Sequence, residues 1–242
     1  MSIAPVGMVT FHPPGELSDY VTIVRRLSFF TVDKALQKDG IGSLNRLILH
    51  AREARDHAAE ARDEGLANEY LSVLMLATTV KKGLEMWLAL KRDRERDAWE
   101  FMVDAQRTAR RAMLASFGPE PFDELAALAE GWERALFPPQ HFASAGLIVR
   151  SMTCSICGGD ALACPHQKGQ PYMGRLCLYR FDALDLDHVS AVKHPENKKC
   201  RVTSFTSDSR VYDTLTQRLI DHKEGKDRLV KMKAFHTKEL EF

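Results

Sequence analysis

A chain of 242 residues, with 45% hydrophobic and 28% charged residues, is long enough for one or two domains with cores of their own. Its formal net charge of +1 creates no global field toward nucleic acid or an anionic membrane, so either partner would have to be met by a local patch. No apolar run approaches the roughly 20 residues of a membrane-crossing helix, and the best candidate, Leu71 to Val80, carries Ser72, Thr78 and Thr79.

The stretch Met1 to Thr10 lacks the basic start of a secretory signal, which leads us to expect a cytoplasmic protein without a membrane partner. The five cysteines fit that expectation. All lie after position 150, crowded into one segment rather than spread as an even disulfide framework.

In chain order, Pro5 to Gly15 reads as a loop. A first helix is expected through Tyr20, Ile23, Val24 and Leu27, with a short continuation near Val32 to Leu36, and a break at Lys38-Asp39-Gly40. Ser43 then looks like the N-cap of a helix with Leu44, Leu47, Ile48, Ala51, Ala54 and Ala58 on one face, ending at Gly65. Tyr70, Val73, Leu74, Ala77, Val80, Leu84, Trp87 and Leu88 recur at three- and four-residue steps, which predicts an amphipathic helix.

Two more helices are predicted, one from Trp99 to Phe117 and one from Phe122 to Leu136. Five helices with short connections should pack as an antiparallel bundle. The alanine-rich side around Ala54, Ala58 and Ala61 would permit close helix approach and a homo-oligomer.

Composition changes at Pro138-Pro139, after which cysteines, glycines and β-branched residues take over. Strands are expected at Ala143–Val149, Leu176–Phe181, Val189–Val192 and Val202–Phe205, then a helix from Ser209 to His222 and a basic tail. The predicted class is α+β: a helical bundle (1–138), a β-rich zinc-stabilised module (139–207), and a C-terminal helix with a basic tail (208–242).

The chemistry concentrates in Cys154, Cys157, Cys164 and His166, four ligand-type residues in one short run. Zinc takes four such donors in a tetrahedron. A C-x-x-C followed by Gly158 and Gly159 makes a tight knuckle, because glycine enters positive φ without penalty. Cys164 and His166, two apart across Pro165, can aim at the same point. A closed set of four donors is structural, whereas catalytic zinc keeps a position open for water.

Alternatives stand beside this reading. A thioredoxin-like redox pair would want a βαβ context that the segment does not show. Cys177 or Cys200 is an alternative fourth ligand in place of His166, although both read more simply as small buried strand residues. His188, His194 and Glu196 lie close enough in sequence to suggest a second metal, against the plainer reading of surface loop residues.

Residues 142–201 also carry a pattern of motifs. In order these are Ser144-Ala-Gly146, Cys154-Ser-Ile-Cys157-Gly158, Cys164-Pro-His166, Gly169-Gln-Pro-Tyr172-Met-Gly174-Arg-Leu-Cys177 and Asp187-His-Val189-Ser190-Ala-Val192-Lys-His-Pro195. The pattern resembles phage prohead serine proteases and their relatives in prophages and mobile elements. The resemblance implies a β-rich zinc-bearing module. It also implies a nucleophile at Ser144 or Ser190 with His141 or His188 as base, but the family's catalytic histidine precedes the zinc segment in a β-rich region where this chain is helical. A module on a replaced enzyme body is the expectation, with no catalytic residues assigned.

Three functions follow. The first is a non-enzymatic adaptor binding another protein, linked to phage, mobile-element or anti-phage defence systems. The second is nucleic-acid binding through Lys198, Lys199 and Arg201 with the tail from Lys223 to Lys233, opposed by Asp182, Asp185 and Asp187. The third is a serine hydrolase.

Overall fold

The computed structural model describes residues 19, 22, 24, 32–115, 122–208, 210–222 and 231–232. The first predicted helix, through Tyr20 and Leu27, and most of the basic tail lie outside these residues, apart from Asp19, Thr22 and Val24. Between residues 32 and 136 the described chain forms four helices, and small antiparallel sheets follow them, so the chain is of mixed helix and sheet.

Helix α1 runs Lys34–Glu60 without a break. Its N-cap is Asp33, not Ser43: the Asp33 carboxylate accepts the backbone N–H of Ala35 at 2.6 Å and of Leu36 at 3.3 Å. Gly40 does not stop the helix. A mid-helix glycine costs only about 1 kcal/mol, and burial of Leu44, Leu47 and Ala51 outweighs that. Gly65 does not cap it either. The chain turns at Arg62, with φ of 60°, and Asp63 caps helix α2 (Glu64–Leu90), placing Gly65 in its first turn.

Helices α3 (Glu95–Ala115) and α4 (Phe122–Leu136) follow. Each helix packs on the next, and the short connections make α1, α2 and α3 successive hairpins. One apolar cluster joins Leu44, Leu47 and Ala51 to Val73, Leu76, Ala77 and Leu84.

Past the double proline, strand β1 (Phe142–Cys154) pairs antiparallel with β4 (Tyr179–Val192), from Phe142 opposite Val192 to Cys154 opposite Tyr179. Between them, β2 (Pro171–Tyr172) and β3 (Arg175–Leu176) form a hairpin. Its two-residue turn, Met173 and Gly174, has φ of 45° and 71°, the primed geometry that matches strand twist. The expected strand from Leu176 to Phe181 is therefore divided, with Cys177 and Leu178 between β3 and β4.

The last sheet has the order β7-β6-β5-β8, from β5 (Val202–Ser207), β6 (Arg210–Asp213), β7 (Leu219–His222) and β8 (Lys231–Met232). The helix expected from Ser209 to His222 is absent, because strands β6 and β7 occupy that stretch. Val211 and Tyr212 favour extended backbone. Asp213 then holds a turn by accepting the N–H of Leu215 at 2.8 Å and of Thr216 at 2.9 Å, and Gln217, with φ of 57°, completes it.

The helices and the β half share apolar clusters. Trp99 of α3 is fully buried against Phe137 edge-on at 5.3 Å and Phe142 stacked at 6.2 Å, in a cluster that includes Leu215. Leu71 of α2 and Ala115 of α3 meet Leu176 of β3. Polar contacts reinforce the seam. Arg96 binds the buried carboxylate of Asp213 at 2.7 Å, and Trp99 donates its indole N–H to the Lys198 carbonyl at 3.2 Å.

Candidate metal centre

The knuckle grows out of the end of the β1–β4 ribbon. Just past the Cys154–Tyr179 pair, Ser155 donates its backbone N–H to the Leu178 carbonyl at 2.9 Å, so the ladder continues into the loop. The chain then folds back. Gly158 donates to the Cys154 carbonyl at 2.8 Å, and Cys154 donates to the Gly159 carbonyl at 2.9 Å. Gly158 has φ of 72°, a backbone state that side-chain-bearing residues rarely adopt. The Ile156 N–H points at the Cys154 sulfur at 3.4 Å.

Asp160 shapes the second half of the loop. It bridges back to Thr153, its carboxylate accepts the Leu162 N–H at 3.0 Å, and its carbonyl accepts the Cys164 N–H at 3.1 Å. This turn delivers Cys164 and, across Pro165, His166. The imidazole of His166 stands edge-on to Tyr172 at 4.7 Å, and the Tyr172 hydroxyl accepts the Gln167 N–H at 2.9 Å.

Cys154, Cys157, Cys164 and His166 thus lie together, with one ligand atom from each within 4.8 Å of all the others, and can hold a metal ion. A tetrahedron built on zinc–sulfur bonds of about 2.3 Å has edges of about 3.8 Å, so small shifts would close the set. The Nδ1 atom of His166 is buried with no hydrogen-bond partner, an orphan that a ligated cation would satisfy.

The sulfurs differ in acidity. Burial pushes the Cys154 thiol up, but N–H groups of Cys157 and Ile156 outweigh it and bring it down to about 6. The Cys164 thiol is pushed up, by burial first and then by the neighbouring Cys154 sulfur. The Cys154 and Cys164 thiols oppose each other's deprotonation, and a divalent cation between them would reverse that balance.

The remaining candidates fall elsewhere. Cys177 is fully buried behind Cys154, sulfur to sulfur 3.7 Å, and burial pushes its thiol up to about 12. In that protonated state it serves as a donor to a Cys154 thiolate. Cys200 is buried at the seam, its carbonyl accepting the Ala143 N–H at 3.0 Å. Among the described residues His188, His194 and Glu196 form no metal-holding group. His188 instead bonds Asp187 at 3.0 Å and lies over Gly146. Ser144 and Ser190 are directly opposed across β1 and β4.

The three cations considered for nucleic acid are engaged within the chain. Lys198 pairs with Glu133, and Lys199 pairs with Asp104 at 2.6 Å and Glu100 at 3.6 Å. Arg201 is 4% exposed, sits 5.9 Å from the Trp99 ring centroid and donates to the Thr214 hydroxyl at 3.0 Å. They tie the β half to α3 and α4.

Supporting residues escaped sequence reasoning. Asn68, a polar residue in the buried stripe of α2, accepts the Gly174 N–H at 2.8 Å and Glu64 accepts that of Met173 at 3.3 Å, docking the β2–β3 hairpin on the bundle. A Cβ on Gly174 would lie 2.6 Å from Arg55 Cγ, so the close approach requires glycine. The detectable signal was an Asn between apolar neighbours of a helix face.

No helix among the described residues is long and apolar enough to cross a membrane. Compared with known protein families, characterised proteins and solved structures, the chain matches none.

Proposed function

We propose that this chain is a non-enzymatic interaction protein in which one structural Zn2+, held by Cys154, Cys157, Cys164 and His166, organises the β half for contact with another protein. The observation carrying this reading is the donor set: three sulfurs and the unpartnered His166 Nδ1 lie close together, enough donors for the four corners of a tetrahedron. A zinc site filled this way anchors structure and leaves no corner for a reacting water.

The contact surface in this reading is the β1–β4 ribbon. A two-stranded ribbon is marginal by itself, yet this one exposes Ile148 at 47%, Leu186 at 65% and Val189 at 54%. Exposed apolar side chains on a projecting element suit a protein partner. The resemblance of residues 142–201 to phage prohead serine proteases and their mobile-element relatives makes phage, mobile-element or defence proteins the partners we propose to look for.

The test is affinity capture from the native host with wild type and Leu186→Glu. Zinc content and fold should be unchanged, and one partner should be lost. An identical set of captured proteins from both would contradict the ribbon's role.

A further inference from the structure

The stretch from His166 to Cys177 is tied to the metal centre at both ends. His166 belongs to the donor set, and the Cys177 sulfur lies 3.7 Å from that of Cys154. Between the ends the backbone is bonded to itself: Gly169 donates its N–H to the Cys177 carbonyl at 2.8 Å, and Cys177 donates to the Gln170 carbonyl at 2.8 Å. Tyr172, in edge contact with the imidazole, leads directly into the Met173-Gly174 turn of the β2–β3 hairpin. A loop cross-bonded in this way moves as one piece, so the hairpin tip and the imidazole shift together.

The tip rests on the helical half. One stripe of α2 receives it over successive turns: Glu64 accepts the Met173 N–H, Asn68 accepts the Gly174 N–H at 2.8 Å, and Leu71 meets Leu176. Asn68 is 3% exposed, and a buried amide is unfavourable unless it is bonded, so its oxygen fixes where the hairpin can sit. Gly174 is pressed so close that an added Cβ would also stand 3.1 Å from the Ala67 carbonyl oxygen.

We infer that Asn68 is a positioning residue for the metal centre: by holding the Met173-Gly174 turn against α2, it sets the place of His166 in the donor set. The inference rests on the metal reading above, and adds that the helical half contributes to metal affinity. Such coupling is reciprocal: whatever factor docking lends to zinc affinity, zinc lends to docking of the hairpin on α2. One buried hydrogen bond sets the scale at about two- to tenfold.

The test is chelator competition on the full, zinc-loaded chain, comparing wild type with Asn68→Ala, Gly174→Ala and the double variant. The two substitutions undo one contact from its opposite sides. Each should weaken zinc binding about two- to tenfold, and the double variant should lose little more than the weaker-binding single one. Leu47→Ala, in the apolar cluster of α1 and α2 that does not include the hairpin, is the control. It should lower the melting temperature and leave zinc affinity unchanged. With cobalt in place of zinc, the ligand-field absorption bands should shift in Asn68→Ala and Gly174→Ala but not in Leu47→Ala, because only the first two displace a donor. The inference is overturned by wild-type zinc affinity in both hairpin variants, by cobalt bands matching wild type in both, by fully additive losses in the double variant, or by an equal loss in Leu47→Ala. A wild-type chain that retains no zinc would overturn the metal reading itself and this inference with it.

Discussion

The two halves of this molecule are held by different means. In the helical half, large apolar side chains are sealed from water: Leu44, Leu47, Leu76, Leu84, Met86 and Met102 are all essentially unexposed. In the β half the buried apolar set is thin, with Phe142, Ala143, Ala161, Leu176, Leu215 and three cysteines, and the long ribbon is largely open to solvent. Backbone turns and side-chain-to-backbone bonds take over there. The difference says where a metal on the sulfur–imidazole quartet would matter most: a segment that buries little apolar surface has most to gain from another source of folding free energy.

The sharpest way to break this contrast is at the metal centre. Cys157→Ser, at an exposed position, should abolish zinc retention and open the chain after about residue 150 to protease, at a cost of several kcal/mol. Most helical ellipticity should remain, but the bundle should melt earlier, because Phe142, Leu215 and Leu176 belong to apolar clusters shared with the helices. Limited proteolysis with mass mapping and thermal circular dichroism read both effects.

Trp99→Ala attacks the seam instead. Deleting this buried indole should cost about 3–5 kcal/mol and lower the melting temperature of both halves together. Separate transitions for helix and sheet signals in the wild type would contradict the shared seam.

Asp213→Asn tests the polar part of the seam. Burial raises the Asp213 carboxyl, but the Thr216 N–H, Arg96 and the Leu215 N–H outweigh it and hold it below the usual carboxylate range. A depressed folded value contributes stability that is present above the ordinary aspartate value and is lost as pH falls through the folded one. Wild type should therefore lose stability on acidification below about pH 4. Asp213→Asn should be about 1–3 kcal/mol less stable at neutral pH, with a flatter acid limb in urea titrations.

Leu186→Glu should do least to stability, about 0.5 kcal/mol or less, since the side chain is mostly exposed. Its effect should be confined to partner capture.

Legibility from sequence followed the same divide. The apolar periodicity of α2, α3 and α4 was readable because packing dictates spacing. The quartet was readable because a metal's donors must be particular residue types, whatever the fold. Gly40 and Gly65 misled, since tertiary burial overrides a glycine's local cost. The stretch Val211 to Leu219 has helical spacing, yet its β-branched and aromatic residues and the Asp213 turn made strands. Lys198, Lys199 and Arg201 looked like a free basic patch because their partners, Glu133, Asp104 and Trp99, lie far away in sequence.

Zinc K-edge X-ray absorption on the purified chain tests the central claim most directly. The account predicts one bound zinc per chain with three sulfurs at about 2.3 Å and one nitrogen at about 2.0 Å. A folded chain without metal, or a coordination shell dominated by oxygen and nitrogen, would contradict it.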